Sequence, residues 1–250
     1  MLHGASFEVE DGGFAGILGP NGSGKTTLLR LLSGTARPAS GRVTLDGRDL
    51  ATMGRAALAR RMAVVPQETR LAFEYSVLEV VTMGRYPHLG AFEVEGPADL
   101  AICRDALAQT GTSHLEDRPF TTLSGGEKQR VVIAAALAQI GSSHGAILLL
   151  DEPTAALDLG YQLETARLLR DLQARLRLTV VISTHDLNFA ASLCRSLLLL
   201  RDGRVLAAGP TDRVLAPDTI AALYDVEADV RHHDAAGHLV VVPVARIAGR

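Results

Sequence analysis

The stretch Gly19-Pro20-Asn21-Gly22-Ser23-Gly24-Lys25-Thr26 constrains this chain more than any other. It has the spacing of a phosphate-wrapping loop: a glycine, four residues, then Gly-Lys-Thr. An apolar run over 14–18 leads in and predicts a strand. Residues 27–32 follow and predict the first turns of a helix, with Leu28, Leu29, Leu31 and Leu32 available for burial. Glycines let successive backbone N–H groups converge on one concavity, because a Cβ would block that backbone shape. The helix start adds its unpaired N–H groups and the positive end of its dipole. Lys25 can reach the β- and γ-phosphates of a nucleotide, and the Thr26 hydroxyl can hold Mg²⁺. The bland alternative is a glycine-rich turn between strand and helix.

Composition narrows the class. The 250 residues suffice for one large domain or two small ones. A net charge of -3 argues against a binder of nucleic-acid backbone, which usually shows a basic face. Cys103 and Cys194 sit in apolar surroundings without metal-ligand spacing, and read as buried thiols of a reducing compartment. The longest apolar runs, such as 131–138 and 146–150, fall short of the roughly 18 residues a membrane helix requires. The expectation is a soluble protein whose membrane link comes through a partner. Lysine occurs twice, at Lys25 and Lys128, in a chain that otherwise uses arginine.

Along the chain, residues 6–10 alternate, with Phe7 and Val9 on one side, and predict a half-exposed strand. Asp11-Gly12-Gly13 turns it back. After the first helix, Ser33-Gly34 and Pro38 enforce a stop. Residues 42–45 and 62–65 predict further strands, with a short basic helix over 53–61 between them. Gln67 follows the second; its amide both donates and accepts, so it can ligate Mg²⁺ and orient water. Alone, such a glutamine is a surface residue.

Residues 69 to about 122 change character. Helical periods at 77–83 and 100–109 are separated by Gly84, Pro87, Gly90, Gly96 and Pro97, as in a helical insertion into a strand-rich domain. Tyr86-Pro87-His88 reads either as a plain loop or as a docking surface. Ser124-Gly125-Gly126-Glu127 then opens a long helix reaching about Gln139, and Ser124 with Glu127 fits a capping box. Two glycines in a first turn are poor helix formers, so an exposed N–H cluster, a second anion site, explains them better.

The apolar run 146–150 predicts a central parallel strand ending in Asp151-Glu152. Asp151 can hold Mg²⁺ through water, and Glu152 can polarise an attacking water. Residues 153–158 make a tight connection, and 165–175 an amphipathic helix. The strand 178–183 ends at Thr184-His185-Asp186, which puts His185 on the active edge of a doubly wound sheet. A hairpin over 197–208, a short helix over 218–224 and a terminal strand pair near 229–232 and 238–244 complete the chain. His232, His233 and His238 read as surface histidines of that hairpin, since no acidic or cysteine ligand pattern accompanies them.

This ordered set resembles the nucleotide-binding subunit of ATP-binding cassette (ABC) transporters. The match runs from the phosphate loop through Gln67, the signature 123–127, Asp151-Glu152, the D-loop 155–158 and the switch histidine His185, and covers nearly the whole chain. Met83-Gly84-Arg85-Tyr86-Pro87-His88 and Tyr224-Asp225-Val226 look like the importer ATPases for iron-siderophores, haem and cobalamin. The resemblance implies an α/β fold: a P-loop NTPase (RecA-like) core with an antiparallel β subdomain and an inserted α-helical subdomain. The expected layout is one ABC ATPase domain over 1–250. Its catalytic core would be 1–68 and 145–210, its helical subdomain 69–144 and its C-terminal extension 211–250. The implied nucleotide-binding set is Gly19, Pro20, Asn21, Gly22, Ser23, Gly24, Lys25, Thr26, Thr27, Ser124, Gly125, Gly126 and Asp158. Thr26, Gln67 and Asp151 would serve Mg²⁺. Glu152 is the expected hydrolytic base, with His185 sensing the γ-phosphate and Gln67 assisting.

The family implies ATP held between two head-to-tail copies, the loop of one facing Ser124–Gly126 of the other. It also implies docking of the helical insertion on transmembrane permease subunits at the inner face of the cell membrane. A substrate-binding protein takes part indirectly, and nucleic acid does not. An ABC ATPase without a permease is the alternative class; its usual second cassette, coiled coil or basic linker is not found in this sequence. Three departures stand out. The family's first strand, with its adenine-stacking aromatic residue, lies before the position of Met1, so either the start is truncated or adenine packs elsewhere. Ala135 stands where the family usually has arginine. Glu127 replaces the commoner glutamine, and both cap a helix.

Overall fold

In the apolar strand runs, adjacent residues enter different cores. Leu148 and Leu150 face one cluster and Leu149 the other; Val180 and Ile182 oppose Val181; Leu197 and Leu199 oppose Leu198 and Leu200. Side chains of a strand alternate across the sheet, so a continuous apolar run is what a sheet covered on both faces demands. The computed structural model describes residues 2–247 apart from 70, 142, 144 and 156. Met1 and Ala156, which the sequence reading placed at the chain start and in the D-loop, lie outside them.

Strand β1 (Phe14–Leu18) runs into the phosphate loop and helix α1 (Lys25–Leu32). A two-residue pair, β2 (Thr44–Leu45) and β3 (Arg48–Asp49), closes over Asp46-Gly47. Helix α2 (Arg55–Ala59) precedes β4 (Met62–Val65). The helical region holds α3 (Val77–Thr82), a 3-10 segment Met83–His88, α4 (Pro97–Gln109) and α5 (Gly125–Ile140). Then come β5 (Ile147–Asp151), α6 (Leu159–Leu176), β6 (Thr179–Thr184), α7 (Leu187–Leu193), β7 (Ser196–Arg201) and β8 (Arg204–Pro210). The chain finishes with α8 (Thr211–Val214), α9 (Pro217–Tyr224), β9 (Val226–His233) and β10 (His238–Arg246). Among the described residues the main sheet has six strands in the order β4-β5-β6-β1-β7-β8. All pairs are parallel except β7–β8. Helix α1 packs Leu28 and Leu29 on one face; the other face and the helical region share a single continuous core.

Several expectations needed correction. Residues 6–10 form no strand. Phe7 and Val9 are half-buried against the α1-side core as the alternation required, but the segment gains no ladder partner. Alternation reports which side chains are covered, and a strand also needs a neighbour for its N–H and C=O groups. The antiparallel β subdomain is accordingly represented among the described residues by β2–β3 alone. Helix α4 starts at Pro97, read from sequence as a breaker; proline suits the first helical position, where its missing N–H costs nothing. Helix α6 starts six residues before 165, because Asp158 caps it by accepting from the Tyr161 N–H at 3.0 Å. Helix α7 was not anticipated; its cap, Asp186, accepts from the N–H groups of Asn188 and Phe189.

One buried charge ties the helical region together. Arg85, 5% exposed, donates to Asp99 at 2.9 Å and to the Ala138 carbonyl at 2.7 Å. The Arg85 guanidinium, with the Gly96 N–H, holds the Asp99 carboxyl below its ordinary value of 3.8. A group whose folded pKa is depressed contributes stability above its unfolded pKa and loses it as pH falls through the folded value. Asp99→Ala is therefore expected to destabilise the protein by about 1–3 kcal/mol at pH 7, because it strands a buried cation. That difference from wild type should shrink in thermal melts below about pH 4. A deficit that persists unchanged at pH 3 would assign the effect to packing instead.

Candidate functional site

The carboxyl ends of β4, β5, β6 and β1 meet on one edge of the sheet, and each delivers one functional loop. Parallel neighbours share a direction, so their C-terminal loops emerge together, where open α/β sheets bind ligands. The register puts Leu18 beside Thr184 and Asp151 beside Ser183, one residue before the loop each strand feeds or at its start. A cavity of about 650 Å³ opens there. Asn21, Gly22, Gly24, Lys25, Thr26 and Thr27 line it on one side, and Gln67, Glu152 and His185 on the other.

The loop has the geometry that phosphate requires. Gly24 sits at φ 108°, and no side chain caps α1 behind it. A side chain at residue 24 would be strained at that φ, and the uncapped helix start leaves N–H groups and positive potential toward the cavity. The first turn of α1 contains no acidic residue to compete for those groups. A polyanion fits this cradle.

Lys25 is 5% exposed, so its ammonium needs partners. It donates to the carbonyls of Gly19 at 2.9 Å and Pro20 at 3.3 Å, and stands 3.1 Å from Glu152 Oε1. The other Glu152 oxygen lies 3.0 Å from His185 Nδ1. One carboxylate thus bridges the phosphate-loop lysine and the strand-end histidine. Its backbone is held too. Glu152 adopts φ 45°, and its N–H donates to both the carbonyl (3.0 Å) and the hydroxyl (3.1 Å) of Ser183. A non-glycine residue at positive φ persists where surrounding bonds enforce it, commonly at a working site.

Asp151 is buried just behind the cavity and accepts a short hydrogen bond from the Ser183 hydroxyl. Thr26 and Gln67 reach the cavity itself. A hydroxyl, an amide oxygen and a carboxylate make an all-oxygen donor set, suited to a hard cation such as Mg²⁺ that keeps several waters. Elsewhere among the described residues, no group of three or more metal-ligating side chains converges, His232, His233 and His238 included.

Ser124, Gly125, Gly126 and Asp158 do not line the cavity of their own chain. Ser124 and Glu127 form the expected reciprocal cap: the Glu127 N–H donates to Ser124 Oγ, and the Ser124 N–H to Glu127 Oε2. Those bonds hold the Glu127 carboxyl below its usual range. Gly126 presses on the Tyr161 ring, which would lie 2.2 Å from any Cβ there. The signature turn and the start of α6 therefore form one block, joined beside Asp158. The expected site residues did not include four that line the cavity, Thr154, Ala155, Gln162 and Asp186. Gln162 and Asp186 belong to helix starts whose caps, Asp158 and Asp186, were legible as N-cap residue types.

Comparison with known proteins agrees with this geometry. A family model described as ABC transporter matches residues 2–155. The chain is 43% identical to the cobalamin import ATP-binding protein BtuD of Halobacterium salinarum, over 94% of this chain and 58% of that protein's length. It is 43% identical to the hemin import ATP-binding protein HmuV of Pseudomonas aeruginosa, over 97% of this chain and 93% of the relative. Among solved structures, a metal-chelate type ABC transporter in an inward-facing conformation superposes with a TM-score of 0.83 at 33% identity. That match covers 95% of this chain and 90% of the other. A dimeric bacterial ABC transporter cassette gives 0.72 at 29% identity, over 84% and 90% of the two chains.

Ser183 serves both acids of the edge, through its hydroxyl to Asp151 and its carbonyl to Glu152. Ser183→Ala is expected to leave a buried Asp151 oxygen without its donor and to lower stability by about 1–3 kcal/mol. Mg²⁺-dependent nucleotide affinity should fall severalfold with it, as read by titration with a fluorescent nucleotide. Melting and affinity both equal to wild type would remove Ser183 from the site.

Proposed function

The chain belongs to the ABC transporter ATP-binding family, and from that premise we propose that it binds and hydrolyses ATP to energise an importer. The observation that carries this reading is the Lys25–Glu152–His185 chain at the mouth of the phosphate loop, one carboxylate joined to two groups that would face a γ-phosphate.

The loop backbone and Lys25 bind the β- and γ-phosphates. Lys25 and Glu152 lie 3.1 Å apart, too close to admit a phosphate between them, so nucleotide entry separates the pair. Glu152 is then freed to accept a proton from the attacking water, while Lys25 keeps a charged partner in the γ-phosphate. His185 donates to the same phosphate. Thr26 and Gln67 would hold Mg²⁺, with Asp151 behind them, and the bound ion would supply charge neutralisation at the phosphates. Ser124, Gly125, Gly126 and Asp158, off their own cavity, act on the nucleotide of a second copy packed head to tail. In that arrangement the helix start at Ser124 adds a second set of N–H donors.

The helical region supplies a docking face for the permease. A groove of about 390 Å³ runs between α3 and the segment Tyr86 to Leu100. Tyr75 and Tyr86 line it, and Phe73, edge-on to Tyr75, with Phe92 and Val94 are further exposed apolar side chains of residues 69–122. Exposed apolar side chains of this size fit a protein partner better than water. No helix of the described residues is long and apolar enough to cross a membrane, so the protein would act at the inner membrane face through that permease. The cargo reading, an iron-siderophore, haem or cobalamin, rests on the cobalamin and hemin import by these relatives and on the likeness of 83–88 and 224–226 to that group. The one-domain layout, with core 1–68 and 145–210, helical part 69–144 and extension 211–250, is part of this proposal.

Two variants test the site. Glu152→Gln is expected to bind ATP as wild type does while turnover falls by about 10²–10⁴-fold, the usual contribution of a general base. Near-normal turnover of the purified variant would remove Glu152 from that role. Lys25→Ala is expected to weaken ATP binding by about 10-fold or more, as loss of a charge-assisted contact does; an unchanged dissociation constant would contradict the phosphate assignment.

A further inference from the structure

The carboxyl-terminal elements reach into the nucleotide site by a contact that the proposed hydrolysis does not use. Tyr224, the last residue of α9, donates its hydroxyl to the backbone carbonyl of His185 at 3.2 Å. A second contact falls three residues on. The Asn188 side chain meets β10 as a strand would: its Nδ2 donates to the Val241 carbonyl at 3.2 Å, and its Oδ1 accepts from the Val241 N–H at 2.8 Å. The turn 185–188 is thus held from α9 on one side and from β10 on the other.

Tyr224 is itself fixed. Asp225, directly after it, ends α9 in a left-handed conformation at φ 56°. Arg201 grips that residue with two bonds, Nη1 to Oδ1 at 3.1 Å and Nη2 to Oδ2 at 2.7 Å, and also donates to the Ala222 carbonyl. A bidentate guanidinium–carboxylate pair fixes orientation as well as distance. Arg201 closes β7, so the end of α9 is anchored to the same sheet that carries the site. Burial, followed by the charges of Glu152 and Asp186, pushes the Tyr224 hydroxyl well above its ordinary range. It therefore stays protonated, and its proton has the His185 carbonyl as acceptor.

These bonds add to the Asp186 N–H bond to Thr184 Oγ1 and to the Asp186 cap of α7 in fixing the His185 backbone. The imidazole is more than half exposed, and among the described residues Glu152 is the side chain that bonds it. We infer that Tyr224 is a positioning residue for His185, and that α9 and β10 set the turnover rate by holding the 185–188 turn. Tyr224 touches no phosphate itself and acts through the histidine's main chain. This inference rests on the proposed ATP hydrolysis.

The test uses the full chain. Tyr224→Phe removes one hydroxyl and keeps the ring. Expected is a fall in kcat for ATP of about 3- to 10-fold, the effect of one hydrogen bond, with KM within about twofold. In protein labelled with ¹³C-histidine, the His185 Cε1–H signal, assigned by its loss in His185→Ala, is expected to move in Tyr224→Phe. Should that variant fail to fold, Asn188→Ala, which releases β10 from the same turn, is expected to give the same pair of results. An unchanged kcat, or a lowered kcat with the His185 signal unmoved, would overturn the inference. Wild-type turnover in the same assay, abolished by Glu152→Gln, keeps the hydrolysis reading standing whichever way Tyr224 falls.

Discussion

The parallel pairing of β5, β6 and β1 brings three loop ends within hydrogen-bond reach, and the rest of the site depends on it. Lys25 opens α1 at the end of the loop after β1, Glu152 follows β5 and His185 follows β6. They are distant in sequence, yet Glu152 lies 3.1 Å from one and 3.0 Å from the other. Strands sit about 4.8 Å apart, so neighbouring parallel strands bring their following residues together without further design. A one-residue slip of β5 against β6 would turn Leu148 and Leu150 out of their core and carry Asp151 away from Ser183. The hydrophobic register and the chemical register are the same register.

Burial then sets the electrostatics. Lys25 is enclosed, so its charge requires the Gly19 and Pro20 carbonyls and the Glu152 carboxylate. Ser183 satisfies the buried Asp151 and pins the Glu152 backbone in a conformation that a non-glycine residue rarely adopts. The helical region repeats this logic with Arg85, whose charge is met by Asp99 and the Ala138 carbonyl. In each case a polar residue that burial would penalise becomes the joint between two elements.

Much of this was legible in advance. The strands that feed the site loops, the helical insertion, the capping box at Ser124 and the terminal strand pair all follow from periodicity and cap chemistry. The family, too, could be read from the phosphate loop with the signature turn. Residues 6–10 show where that reading ends. The alternation of Phe7 and Val9 states which side is covered, but pairing depends on a second strand that a local pattern cannot reveal. Helix α7 went unseen because seven residues supply too little periodicity, although Asp186 marked its start.

The sequence by itself determined the loop, the identities of the acids and the histidine, and which side chains must be buried, because those follow from local spacing and the cost of exposing apolar surface. Only the tertiary structure decided which of them touch. Gln162 reaches the cavity, Ser124 and Asp158 stay off the cavity of their own chain, and Tyr224 ties the C-terminal segment after residue 210 to His185. Such contacts join residues tens of positions apart, and their distances are set by sheet register and helix packing, which no local stretch of sequence encodes.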